Sequence, residues 1–180
     1  MSTAVAERIN AFAGTLPQAA KDIKLNLKNL FKPSALSPQQ AYGTALACAY
    51  NEGDRELAAA IHEDGAATGA LAEETVEDAK AAAALMSMNN VYYRFRHMIG
   101  KEIYSQLPAR LRMQRLMKPA TDKATFELFS IAVSAINGCE MCIRSHEEVL
   151  TQHGVSEEAI HEAVRIAAIV RATAVSSRLA

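Results

Sequence analysis

FELFSIAVSAINGCEMCIRSHEEVLTQHGVSEEAIHEAV, Phe126 to Val164, reads as three helices and the two breaks between them. Apolar residues recur at helical spacing up to Ile136, and Gly138 ends that run as a C-terminal cap. The next helix is expected from about Cys139 to Gln152, where HGVS stops it: Gly154 ends it, and Ser156 caps the last helix. The period-two alternation of β-branched residues that marks a strand is missing here, so the stretch forms helical hairpins rather than β-hairpins.

The same punctuation extends outward. SPQQAYGTALACAYN begins with Ser37 as N-cap, Pro38 at the first helical position and Gln40 three on from the cap, a capping-box start. VEDAKAAAALMSMNN is a long alanine-rich helix, and KPATD around Pro119 is the best connector between two halves of the chain. In total, eight to ten helices and an all-α fold are expected, forming one domain over residues 1–180. LAEETVEDAKAAAAL from Leu71 aligns with VSEEAIHEAVRIAAI from Val155 at a register of 84 residues. Slightly shifted, ACAYN ending at Asn51 resembles VSAIN ending at Asn137. Two similar helical halves are therefore expected, although alanine-rich amphipathic helices also resemble one another by composition.

Half of the 180 residues are apolar and aromatics are 6%, the composition of a globular, helix-rich chain. Nineteen basic and 20 acidic residues leave a net charge of −1, which gives no electrostatic footprint for nucleic acid or an anionic membrane. The aromatic and basic run MSMNNVYYRFRHM, Met86 to Met98, is accordingly assigned to core and subunit packing. MSTAVAERINAFAG carries charge inside its apolar pattern and is not a secretory signal, and no apolar run reaches the roughly 18 residues of a spanning helix. A cytoplasmic protein is expected. In that reducing compartment its three cysteines favour metal or redox chemistry for a close pair over a structural disulfide framework.

Cys139, Cys142 and His146 have helical spacings of three and four, so their side chains can converge on one face. Both sulfurs fall in the first turn, where unpaired N–H groups stabilise a thiolate and a CxxC thiol pKa can drop from about 8.5 to roughly 3.5–7.5. His146 can then take the thiol proton and return it to a leaving oxygen. That combination suits a peroxide: thiolate attack on the O–O bond, trapping of the sulfenic acid by the second cysteine, and resetting by a dithiol. Glu127 sits in an otherwise apolar helix 11 residues before Gly138. At about 1.5 Å per residue it lies roughly 16 Å from the turn, with His146 about 10 Å away on the other arm, so a buried carboxylate there is nearer in level to His146 than to either sulfur, and a crossing angle of the two helices could close the gap.

Two other readings of the motif stand beside this one. As zinc ligands, Cys139, Cys142 and His146 lack a fourth partner, since His153 lies too far along the axis. As plain core residues, they would resemble Cys48, which is read as a buried thiol in an apolar helix. A thioredoxin-like fold is disfavoured because its βαβ pattern is missing.

FELFSIAVSAINGCEMCIRSHE, together with KDIKLNL and MNNVYYR, resembles the alkylhydroperoxidase AhpD family of the carboxymuconolactone decarboxylase-like superfamily over almost the whole chain. The resemblance implies an all-α fold with an internal duplication, usually a homotrimer, and no bound metal or haem. It implies reduction of organic hydroperoxides, with electrons from dihydrolipoamide on a lipoyl-bearing acyltransferase served by lipoamide dehydrogenase, and reduction of the peroxiredoxin AhpC. Position by position, it implies Cys142 as the peroxide-attacking thiol, Cys139 as its resolving partner, His146 as the proton relay and Glu127 as that histidine's acidic partner. This chain departs from the pattern at Met141, where well-known members carry a second relay histidine, and a thioether cannot transfer a proton. The alternatives to a peroxidase are a redox-sensing or disulfide-exchange carrier, and a carbon–carbon lyase or lactone decarboxylase, which has no need of paired thiols.

Overall fold

The computed structural model describes residues 6–32 and 34–179, and among these it contains ten α-helices, one short 3-10 turn and no strand. The helices are α1 Glu7–Thr15, α2 Lys21–Lys28, α3 Pro38–Glu52, α4 Arg55–Ala67, α5 Glu73–Ile99, α6 Glu102–Gln106, α7 Gln114–Met117, α8 Lys123–Ile136, α9 Glu140–Gln152 and α10 Glu157–Ser177. The all-α expectation and the expected helix number both hold.

Two of these helices form the centre because they are apolar or small all the way round. In α8, every residue from Thr125 to Ser134 is buried, and in α3 every residue from Ala41 to Ala49. They pack on each other and are enclosed by α5 and α10. Close approach depends on Gly43, where an added Cβ would stand 2.2 Å from the ring of Phe129. Phe126 and Phe129 are fully buried at this centre, and truncating either to alanine would cost about 3–5 kcal/mol. Around it, α1 and α4 pack as one pair, and α2 covers part of α10.

The predicted caps are in place. Ser37 and Gln40 form the capping box of α3, and Ser156 caps α10 by accepting from Ala159 N–H. The order helix, left-handed glycine, 13-residue helix, left-handed glycine, long helix occurs twice, as α3 to α5 with Gly53 and Gly69, and as α8 to α10 with Gly138 and Gly154.

Helix α5 continues to Ile99, well past the alanine-rich segment, and divides the MSMNNVYYRFRHM run between two environments. Met86, Asn89 and Asn90 are buried, whereas Val91, Phe95 and Met98 are exposed. The segment between α5 and α8 is pinned across α5 by the fully buried Asp78. Its carboxylate accepts from Arg115 Nε at 3.0 Å, from the backbone N–H of Ala120 and Thr121, and from the Thr121 hydroxyl. This latch holds the short helix α7, whose Leu116 lines a pocket together with Cys142 and His146. None of the described helices is long and apolar enough to cross a membrane.

Candidate functional site

The site begins at the turn between α8 and α9. Asn137 caps α8, Gly138 takes φ of 65°, Gly138 N–H donates to Ala135 O and Cys139 N–H reaches back to Ser134 O. This is the two-bond Schellman arrangement, and it needs the left-handed residue that glycine adopts without strain. The turn folds α9 back along α8 and makes Cys139 the N-cap of α9, so the helix itself starts at Glu140, one residue after the expected start.

Asn137 also ties the turn to the rest of the core. Its amide pairs reciprocally with that of Asn51 at the end of α3, with 3.2 Å for each bond, and donates to Asn90 Oδ1 at 3.0 Å. Asn90 in turn donates to Ser134, and Arg94 donates to the Asn137 carbonyl. Three helices thereby fix the position of the CxxC segment.

Cys139 and Cys142 are joined by a disulfide. Cys139 is fully buried, while Cys142 is 7% exposed and lines a pocket of about 370 Å³. From α5 the pocket receives Met86, Asn89 and Tyr93, and from the latched segment Met113 and Leu116. Met141, Ser145 and His146 of α9 complete the wall. A molecule entering this mainly apolar pocket meets Cys142, with Cys139 behind it.

His146 and Glu127 meet, although the rise arithmetic alone leaves them about 6 Å apart in level. His146 Nδ1 lies 2.5 Å from Glu127 Oε2, and its Nε2 is directed at Met86 Sδ, 3.2 Å away on the pocket wall. Glu127 is 3% exposed, and Lys123 Nζ takes its other oxygen at 2.6 Å. Burial pushes the Glu127 carboxyl up, but hydrogen bonds and charges from His146 and Lys123 outweigh it and hold the carboxyl below the usual glutamate range. The carboxylate is thus ionised at neutral pH and fixes the imidazole so that Nε2 faces the pocket.

Lys123 also donates to the Leu116 carbonyl at 2.8 Å, so one ammonium group connects the carboxylate to the pocket wall. Sequence reasoning missed Lys123, although its i to i+4 spacing to Glu127 was legible. It also missed Met86 and Asn89, whose shared helical face could have been read from their three-residue spacing. Asp78 carried no usable signal, because an acid in an alanine-rich helix is ordinarily solvated.

The remaining candidates fall elsewhere. Cys48 is fully buried, and burial, with Glu52 adding to it, pushes its thiol well above the ordinary range. His153 is exposed and, as the C-cap of α9, bonds Val149 O of that helix. Among the described residues no group of three or more His, Cys, Asp or Glu side chains is gathered as metal ligands would be. Glu140, between the cysteines in sequence, points away to Arg144 and His97.

A family model described as the carboxymuconolactone decarboxylase family matches residues 103–180. An alkyl hydroperoxide reductase AhpD of Anaeromyxobacter dehalogenans (strain 2CP-C) is 55% identical over 172 residues, covering 96% of this chain and 91% of that protein. Proteins with the same name from Maricaulis maris and Rhizorhabdus wittichii are 49% and 47% identical, each over 92% of this chain and 95% of their own length. With similarity at that level along nearly the whole chain, on an all-helical fold that carries the paired cysteines, this protein belongs to the alkyl hydroperoxide reductase AhpD family.

Proposed function

We propose that this chain is a thiol peroxidase that reduces organic hydroperoxides to alcohols by cycling Cys139 and Cys142 between dithiol and disulfide. The observation that carries this reading is the His146–Glu127 pair beside the pocket-facing Cys142, with a second sulfur in bonding reach behind it.

In the reduced protein, His146 accepts the Cys142 thiol proton. The thiolate attacks one peroxide oxygen, an S–O bond forms, the O–O bond breaks, and the departing alkoxide takes a proton from His146 to leave as an alcohol. Cys139 thiol then attacks the sulfenic sulfur, releasing water and leaving the disulfide. Glu127, already ionised, stabilises the imidazolium at the stage when His146 holds the proton.

Two electrons and two protons must then return from a dithiol. Dihydrolipoamide on a lipoyl-bearing acyltransferase, recharged by lipoamide dehydrogenase, is the proposed donor, and the peroxiredoxin AhpC is the proposed protein acceptor. The name carried by the relatives supports the hydroperoxide substrate and AhpC. No bound cofactor has a step in this cycle. The protein is proposed to work in the cytoplasm, as one domain over residues 1–180 with its redox motif in 120–180, and as a homotrimer. The exposed Val91, Phe95 and Met98 on α5 support an assembly face.

The test is an anaerobic thiol count on reduced protein before and after one equivalent of cumene hydroperoxide, with mass spectrometry to locate the product. Loss of two thiols as a Cys139–Cys142 bridge, reversed by dihydrolipoamide, is the expected result. If both thiols survive peroxide but exchange readily with a small disulfide, the chain is a disulfide-exchange carrier and the peroxidase reading fails.

A further inference from the structure

We propose that Asn89 is the residue that holds the hydroperoxide over Cys142; this deepens the peroxidase reading of the same pocket and rests on it. Asn89 is 5% exposed and sits on α5 three residues after Met86, on the face that lines the pocket with Cys142 and His146. Its Oδ1 is buried without a hydrogen-bond partner, and among the described residues its Nδ2 donates to none.

The neighbouring residue makes the contrast plain. Asn90 uses both ends of its amide, donating to Ser134 and accepting from Asn137. Buried polar groups in folded proteins are nearly always satisfied, so an uncommitted amide calls for a partner. Thr44, Thr173 and Arg96 also carry unpartnered buried atoms, but none of the three lines this pocket. Among these residues, Asn89 alone combines an idle amide with a place on the wall of the pocket that Cys142 also lines.

The chemistry matches in kind. A hydroperoxide has one O–H donor and two oxygen acceptors, while a carboxamide has one acceptor and two N–H donors. As Cys142 sulfur bonds to one oxygen and the O–O bond breaks, negative charge gathers on the departing oxygen, which the proton from His146 then neutralises. A preorganised donor at that oxygen lowers the barrier. Met141 supplies no donor, and on the mainly apolar wall Tyr93 and Ser145 carry the hydroxyl donors beside His146. Asn89 donates through Nδ2 to the alkoxide oxygen as it forms.

The experiment compares wild type with Asn89→Leu, which keeps the size of the side chain and removes its hydrogen bonding. Reduced protein is mixed anaerobically with cumene hydroperoxide in a single turnover, and the alkylation rate of Cys142 by iodoacetamide is measured in parallel. The expected result is a fall of about a hundredfold in the peroxide rate, as for loss of one oxyanion donor, with alkylation within twofold of wild type. Asn89→Ser, smaller and still able to donate and accept, should fall between the two and serves as the test if the leucine variant does not fold. A peroxide rate within threefold of wild type in either variant overturns the proposal. So does an equal fall in both rates, which would make Asn89 a support for the helix. A wild type that loses no thiols to peroxide instead sinks the peroxidase reading itself.

Discussion

The turn from α3 to α4 and the turn from α8 to α9 are built alike and used differently. Each follows a buried central helix, and each has a left-handed glycine, Gly53 or Gly138. After Gly53, Asp54 caps α4: its carboxylate accepts from Leu57 N–H at 3.0 Å and from the Ser177 hydroxyl at 2.6 Å. After Gly138, the N-cap of α9 is Cys139, whose side chain makes no capping bond. A side-chain cap contributes about 1 kcal/mol, and the second turn does without it to place two sulfurs at a helix N-terminus. The two turns therefore differ in one residue's side-chain chemistry, a capping carboxylate at Asp54 and a sulfur that makes no cap at Cys139.

Removing either sulfur of the second turn should have the largest effect. Cys142→Ser should abolish peroxide-dependent thiol loss, whereas Cys139→Ser should stop after one oxidation as a sulfenic acid, detectable by dimedone labelling and mass spectrometry. Next comes the relay. His146→Phe should slow single-turnover peroxide consumption by about 10²-fold or more, while the circular dichroism spectrum stays that of a folded helical protein. An unchanged rate would remove the histidine from the chemistry.

Glu127→Gln should reduce the rate by roughly tenfold, at the low end for loss of a charged hydrogen-bond partner. It also has a thermodynamic signature. Because the folded carboxyl sits below its ordinary value of 4.5, its ionised form contributes stability that is present above that pH and is lost as pH falls through the depressed folded pKa. The melting temperatures of wild type and variant should therefore differ most above pH 4.5 and converge in stronger acid. A constant gap would make the residue a matter of packing alone.

A smaller change is expected at Met141, which is 38% exposed on the pocket rim. Met141→His should raise the rate a few-fold by adding a proton-transfer group, and no gain would mean that His146 already suffices. Smallest of all on activity is the control at the first turn. Asp54→Ala should destabilise the protein by about 1 kcal/mol, lowering the melting temperature by roughly 2–4 °C, with peroxide consumption unaltered.

Much of this was legible beforehand where the signal is local. Ser37, Pro38 and Gln40 specify a capping box through atoms within four residues of one another, and Gly138 and Gly154 specify breaks through their own backbone freedom. Cys139, Cys142 and His146 share a face by helical period alone. Glu127 was assigned to His146 from its apolar surroundings and the family resemblance, since a fixed rise per residue brings it only to a neighbouring level. Lys123, Met86 and Asn89 were not recognised, since their importance comes from what another helix presents to them.

The sequence by itself therefore determined the all-α class, the caps of α3 and α10, the breaks at Gly138 and Gly154, the family and the cysteine–histidine–glutamate set, all of which depend on period, caps and motif spacing. Only the tertiary structure decided which sulfur faces the pocket, that Asp78 latches α7 against the site, and that Asn89 stands idle beside a fully used Asn90. Those outcomes depend on how helices distant in sequence pack, where burial and the satisfaction of polar groups, rather than local preference, set the free energy.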